Sequence, residues 1–179
     1  MSADPIGQAG GINVFGYAAS NPVVRADPLG LDLVVIEGGP VPGNPFGHTA
    51  VGIEARGVFS KGTEEDLGSP TSDYVQSQSE HRDQELTFIE TTPEQDSACE
   101  EAFRKVADEE YDWNSSNCTN AVNACLDAAG VPTGWSPDAL PGSAGRRAKD
   151  YSADQNEGNP TTIRIPKGGR VRTAPVSRF

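Results

Sequence analysis

Histidine and cysteine, which together perform nucleophilic chemistry in many hydrolases, are scarce in this chain: it has two histidines and three cysteines. His48 follows Gly47 and opens an apolar segment that ends at Ile53, which predicts a short strand beginning with an imidazole. Cys118 follows a run of N-cap residue types at positions 114–117, which predicts a helix that begins at the thiol. A helix N-terminus favours a thiolate, and a nearby imidazole can hold the ion pair and transfer the proton. The pair predicts a cysteine hydrolase.

The same helix start offers backbone N–H groups to a developing oxyanion, so the backbone at Cys118 is the predicted oxyanion site. Each candidate has a plainer alternative. Cys118 could be a small buried hydrophobe, since cysteine is often buried. His48 could be a surface residue that ends a strand. His81 lies in a charged segment, residues 79–83, which favours a solvated loop histidine.

The elements that must position these residues begin with strands. Apolar or alternating runs predict strands at 33–36, 48–53, 57–60, 86–89 and 162–165. In this register Ser60 ends the strand after that of His48, so its hydroxyl is the expected group that orients the imidazole. Glu90, at the end of a later strand, is the alternative third residue.

Helices are predicted at 72–78, from Thr92 onward, and from Cys118 to about 129. Thr92, Pro93 and Gln95 match a capping box with proline at the first helical position, and Gly130 is a C-cap signal. Residues 131–160 are expected to be rich in loops. Residues 161–179 are expected to carry the strand 162–165 and then a basic tail that is partly disordered.

If the helices predicted from Thr92 and from Cys118 pack antiparallel, Cys99 and Cys125 are expected side by side, at a similar height along the two helix axes. A disulfide between them is geometrically allowed. It would leave Cys118 free and imply an oxidising destination such as the periplasm. The alternative is two buried thiols.

Composition and the missing motifs argue against several classes of function. The 179 residues carry a net charge of −12, which disfavours a nucleic-acid binder because phosphate contacts need clustered Lys and Arg. No apolar run approaches the roughly 18 residues of a membrane span, and the first residues lack the basic and apolar regions of a signal peptide. No cofactor motif or metal-ligand spacing is found. The acidic runs 64–66 and 100–101 favour solvated faces over a metal or glycosidase site.

Residues 1–31 differ from the rest in being rich in Gly, Asn and Pro. Their turn signals and one alternating run, residues 12–17, resemble the end of the Rhs/YD-repeat core. The matching residues are Asp4-Pro5-Ile6-Gly7, Gly10-Gly11-Ile12-Asn13-Val14-Phe15-Gly16-Tyr17, Asn21-Pro22-Val23 and Asp27-Pro28-Leu29-Gly30-Leu31.

This resemblance implies that the chain is the C-terminal piece of a larger Rhs protein, whose β-shell encloses a variable polymorphic toxin. It further implies autoproteolysis directly after Leu31 by a pair of carboxylates, with Asp27 as the motif aspartate and Asp4 as the second. The alternative is that both aspartates cap turns before proline. We divide the chain into an Rhs segment at 1–31, a toxin domain at 32–160 and the tail at 161–179.

The second part, over roughly residues 33–130, resembles the circularly permuted papain-like proteins. These include permuted NlpC-type peptidases and lecithin:retinol acyltransferase-like enzymes. The matching residues are Gly47-His48-Thr49-Ala50-Val51, Val58-Phe59-Ser60, Asn117-Cys118-Thr119 and Leu126-Asp127-Ala128-Ala129-Gly130. The resemblance implies an α+β fold in which a small antiparallel sheet packs on a helical hairpin that bears the nucleophile.

Together the two resemblances imply an interbacterial effector of the type VI secretion kind, acting as a cysteine hydrolase (an amidase) on cell-wall peptide. It would be made in the cytoplasm, leave within the Rhs protein and act in the target cell, in the periplasm rather than the cytoplasm. A cognate immunity protein is the implied partner. Lipid acyl-ester hydrolysis or transfer, protein deamidation or transglutamination, and non-catalytic binding remain open. A shell plug that only cleaves itself at Leu31 is a further alternative.

Overall fold

The computed structural model describes residues 32–62, 66–112, 115–132 and 142–170. The chain divides into two units, residues 1–30 and 31–179, and the described residues all belong to the second. The proposed autocleavage residues Asp4, Asp27 and Leu31 lie outside the described residues.

The strands form one antiparallel sheet. Their bounds are β1 Asp32–Gly38, β2 His48–Ile53, β3 Gly57–Ser60, β4 Asp66–Ser69, β5 Gln84–Glu90 and β6 Thr162–Ile165. The six strands lie in the order β4-β3-β2-β1-β5-β6, and every neighbouring pair is antiparallel. β1 lies between β2 and β5 in the middle of the sheet, so its continuous apolar run, residues 33–36, is buried on both faces.

Four helices accompany the sheet. Their bounds are α1 Thr71–Ser79, α2 Pro93–Ala107, α3 Cys118–Ala128 and α4 Ser143–Gln155. The capping box predicted for α2 is present, because the Thr92 hydroxyl accepts from the Gln95 N–H and the Gln95 side chain accepts from the Thr92 N–H. α3 begins at Cys118, and Gly130, in the left-handed region at φ +77°, follows its end.

Two apolar layers cover the two faces of the sheet, because successive strand side chains point to opposite sides. On one face, Val51 of β2 joins a core cluster with Phe103 of α2, Val122 of α3 and Ala148 of α4. On the other, Ala50 joins a cluster with Val75 of α1. The α+β class with an antiparallel sheet and helices is therefore confirmed.

Two elements, α4 and β4, were not predicted from the sequence. Residues 131–160 were expected to be loop-rich, yet α4 fills residues 143–155. The face that α4 buries carries small residues, Ala144 and Ala148, with Tyr151 packed beside them, and its N-cap residue, Gly142, has no side chain to cap the helix, so the sequence gives only a weak helical signal. The strand predicted at 162–165 is present as β6, which pairs with β5 and extends the sheet into the segment that begins at residue 161.

Among the described residues, none of the helices is both long and apolar enough to cross a lipid bilayer.

Candidate functional site

The candidate site lies at the end of the sheet where β2 begins and β3 ends. His48 is the first residue of β2 and Ser60 the last of β3. The antiparallel register brings these two strand ends together, and His48 Nε2 lies 2.8 Å from Ser60 Oγ. The hydroxyl therefore fixes the ring orientation through Nε2 and leaves Nδ1 as the second nitrogen of the imidazole.

Tyr74 extends this pair. Its hydroxyl on α1 lies 3.4 Å from Ser60 Oγ, which forms a row of three polar side chains with His48. Burial raises the pKa of Tyr74 to about 12, against a lowering contribution from its hydrogen bond to Ser60. The phenol thus stays protonated at neutral pH and is available as a hydrogen-bond donor. The sequence of the short helix α1 does not indicate this contact.

His48 has a neutral imidazole at neutral pH. Burial, and to a smaller extent the charge of the Arg82 guanidinium, lowers the pKa of His48 to about 4. This corrects one part of the sequence prediction, since a stable imidazolium–thiolate pair needs a charged ring in the resting protein. A neutral ring is instead suited to accept a proton as a general base.

Arg82 approaches this region from the turn after α1. Its Nη1 donates to the Gly39 carbonyl over 3.5 Å, while its buried Nε has no hydrogen-bond partner among the described residues. A side chain at Gly38 would collide with Arg82, because a Cβ there would lie 2.5 Å from the Arg82 Cδ. The close approach of β1 to Arg82 thus depends on a glycine.

Cys118 begins α3 and is the free cysteine, since Cys99 and Cys125 form a disulfide. The Asn117 side chain accepts from the N–H groups of Thr119 and Asn120, and the Asn117 carbonyl accepts from the Ala121 N–H. The N–H of Cys118 is therefore left as the unbonded donor of this first turn among the described residues. It lies where the sequence placed the oxyanion site.

The structure does not join Cys118 to His48 by a hydrogen bond. The thiol is 5% exposed, and its Sγ contacts Thr119 Oγ1 at 3.9 Å. Strand alternation puts His48 on the face of Ala50, towards α1, whereas α3 packs on the opposite face. Cys118 nevertheless lies close enough to Tyr74 for its charge to contribute to the raised pKa of that phenol. Thiol and imidazole thus approach the same sheet end from two sides.

The alternative third residue, Glu90, is wrong on geometry. His48 pairs with Gly38 and Gly38 with Gln84, whereas Glu90 pairs with Asp32 at the far end of the sheet. Six residues of strand separate the two ends, a length of about 20 Å. His81 is exposed in the turn after α1, in line with a solvated loop histidine.

A cavity of about 540 Å³ opens beside His48 at this end of the sheet. Its wall includes Phe46, which is 55% exposed, and the carboxylates of Glu37 and Glu85. Lys149 lies between them, 2.5 Å from Glu85 and 3.7 Å from Glu37. Burial raises the pKa of Glu37. The cavity therefore offers an aromatic surface and polar groups next to the imidazole.

In the described ranges, no group of three or more His, Cys, Asp or Glu side chains is placed to hold a metal ion.

Comparisons with protein-family models, with curated proteins and with solved structures found no match to this chain. The Rhs and papain-like resemblances therefore stay predictions.

Proposed function

We propose that this protein is the toxin end of an Rhs effector and acts as a cysteine hydrolase on amide bonds of cell-wall peptide. The observation that supports the proposal best is the ring orientation at the sheet end. His48 is held by Ser60 at 2.8 Å, while the free thiol of Cys118 begins a helix at the same end. The permuted papain-like fold belongs to this proposal.

In the proposed reaction, Cys118 Sγ attacks the carbonyl carbon of the amide. Neutral His48 accepts the thiol proton through Nδ1 while Nε2 donates to Ser60, and it then gives that proton to the leaving amine. The C–N bond breaks and a thioester remains on Cys118. Water, deprotonated by His48, hydrolyses the thioester and restores the thiol. The Cys118 N–H stabilises the oxyanion in both steps.

The two side chains must meet for this reaction, and the structure leaves them on two sides of the sheet end. Substrate bound in the cavity would contact His48, which lines it, whereas Cys118 is not one of the lining residues and its segment would have to move towards the substrate. In structures without substrate, catalytic hydrogen bonds are often long and tighten only in the complex. The proposal thus requires that substrate binding closes the gap between Cys118 and His48.

A non-catalytic binding toxin is the second candidate, and one observation favours it. The thiol is 5% exposed and has no hydrogen bond to His48, as expected for a structural cysteine. In that case the exposed Phe46 beside the cavity would contact the target.

The test is expression of the chain in bacteria, with and without an export signal to the periplasm, followed by growth and cell shape. Cys118→Ser and His48→Ala are expected to abolish toxicity. His81→Ala is the matched control, because it removes the other histidine from an exposed turn and should remain toxic. Toxicity confined to the exported protein, with cell lysis, would support a cell-wall substrate.

Full toxicity of both Cys118→Ser and His48→Ala would overturn the hydrolase and leave the binding toxin. Toxicity restricted to the cytoplasm would instead contradict the cell-wall substrate while retaining the nucleophile. Coexpression of a cognate immunity protein should suppress toxicity under either candidate function.

A further inference from the structure

Lys61, which directly follows Ser60, is a buried cation. Its side chain is 1% exposed, although lysine is among the residues least often buried. Burying a charge is costly unless hydrogen bonds satisfy it. A lysine at this position therefore requires a structural or functional reason.

The ammonium of Lys61 uses its three donors on three acceptors. Nζ donates to the Glu109 carbonyl at 2.7 Å, to Ser116 Oγ at 2.6 Å and to the Val106 carbonyl. The Val106 carbonyl lies in the last turn of α2, where the helix dipole favours a cation, and the Glu109 carbonyl follows just after the helix ends. The charge is thus stabilised without a carboxylate among these partners.

The third acceptor connects Lys61 to the nucleophile segment. Ser116 is also held by its backbone, because its N–H and carbonyl both bond to the backbone of Asp112. Asn117 caps α3 immediately afterwards, and Cys118 follows. Any displacement of Ser116 therefore moves the helix start that bears the thiol.

We propose that Lys61 is a positioning residue that sets the place of the Cys118 thiol relative to the Ser60–His48 pair. Its backbone continues from Ser60 at the end of β3, and its side chain holds Ser116, two residues before Cys118. One residue thereby joins the imidazole side of the site to the thiol side. The functional meaning of this link rests on the proposed hydrolase.

The test measures how readily iodoacetamide alkylates Cys118 in the folded full-length chain, by mass spectrometry of the labelled peptide. With the disulfide intact, Cys118 is the free thiol of the protein. Because the thiol is buried, alkylation needs a local opening of its segment. Lys61→Met removes the ammonium at similar volume, and the alkylation rate is expected to rise about tenfold or more, the usual size for a lost buried charged hydrogen bond.

Ser116→Ala provides a second variant that leaves the Lys61 bonds to α2 in place. Its alkylation rate is expected to rise severalfold, and the double variant should match Lys61→Met, since the two changes remove one shared contact. Lys149→Met is the matched control, because it removes a lysine paired with Glu85 and should leave alkylation of Cys118 unchanged.

A wild-type alkylation rate in Ser116→Ala would overturn the positioning role, even if Lys61→Met does not fold. An alkylation rate in the double variant that rises by the product of the two single effects would also overturn it, because the two side chains would then act independently. Toxicity assayed in parallel keeps the two proposals apart. Persistent toxicity of Cys118→Ser would reject the hydrolase. The alkylation rates measure only how strongly Lys61 restricts opening of the segment that bears Cys118.

Discussion

Arg82 and His48 lie on the same side of the sheet end, and the guanidinium adds to burial in holding the imidazole neutral. This relationship determines how the candidate site responds to pH. A general base with a pKa of about 4 keeps its proton-accepting form throughout the neutral and mildly acidic range. The His48 ring is therefore neutral in the resting protein over this pH range.

The first prediction concerns the titration of His48. Its ring signal, followed by NMR and assigned by comparison with His48→Gln, should titrate near pH 4. Arg82→Met should move that midpoint upward, because it removes a positive charge that opposes protonation. A midpoint near 6.5, the ordinary pKa of histidine, in the wild-type protein would contradict the burial of the ring.

The second prediction links the same shift to stability. His48 has a lower pKa folded than unfolded, so between pH 6.5 and about 4 the unfolded chain binds a proton that the folded chain does not. The contribution of His48 to the free energy of unfolding is complete above pH 6.5 and is lost as the pH falls to its folded-state pKa of about 4, by about 3 kcal/mol in total.

Urea unfolding at pH 7 and at pH 4 would measure this loss. Other carboxylates also titrate over that range, so the quantity of interest is the difference between wild type and His48→Gln. The variant should lose about 3 kcal/mol less between the two pH values. Equal losses in both proteins would show that His48 does not contribute.

The third prediction concerns the disulfide between α2 and α3. Cys99 and Cys125 are fully buried and 26 residues apart. A loop of this length corresponds to about 3 kcal/mol in the chain-entropy account. The double variant Cys99→Ala/Cys125→Ala should lose at least that much stability in guanidinium unfolding, with an added term for the small cavities. A reductant should destabilise the wild-type protein and leave the double variant unchanged.

Much of this fold was predictable from the sequence, because most of its elements have a strong local signal. The strand from His48 to Ile53 and the helix capped by Thr92 were predicted from alternation and capping residues, and both form. β4 was missed because it has one large apolar residue, the exposed Leu67, and because only Asp66 of its four residues is partly buried. A strand of that kind depends on pairing with a neighbour, which sequence patterning does not show.

The site was predictable in part, for a similar reason. His48, Ser60 and Cys118 are marked by their places at strand and helix ends. Tyr74 and Lys61 join them only through tertiary contacts: Tyr74 belongs to a helix without a distinct polar pattern, and a lysine after a strand ordinarily indicates a solvated end. Which sheet face His48 occupies relative to α3 likewise depends on packing.

The fourth prediction concerns Arg147, which holds α4 to the end of α3. Its side chain is 4% exposed and donates to Asp127 Oδ1 at 2.5 Å, to the Pro132 carbonyl at 2.8 Å and to the Val131 carbonyl. Arg147→Met would leave these acceptors without a donor and should cost about 2–4 kcal/mol in urea unfolding. Lys105→Met, at an exposed pair with Glu101, should cause no measurable change.

The last prediction concerns Gly47, which immediately precedes His48. Its φ is +83°, and a Cβ there would lie 2.4 Å from the Gly38 carbonyl oxygen of β1. Gly47→Ala therefore faces both a strained backbone and a clash with backbone atoms that cannot rotate away, and we expect a loss of about 2–4 kcal/mol. Because β2 begins at the next residue, the His48–Ser60 hydrogen bond should also be disturbed, which the His48 NMR titration would detect.

Gly43 is the matched control for that change. Its φ is +88°, yet no atom lies within 4 Å of the Cβ position. Gly43→Ala should therefore cost only the backbone term of about 1 kcal/mol and leave the His48 titration as it is. Equal losses of stability in the two variants would show that the clash with Gly38 does not matter. The entry of the chain into β2 would then be set by backbone conformation alone.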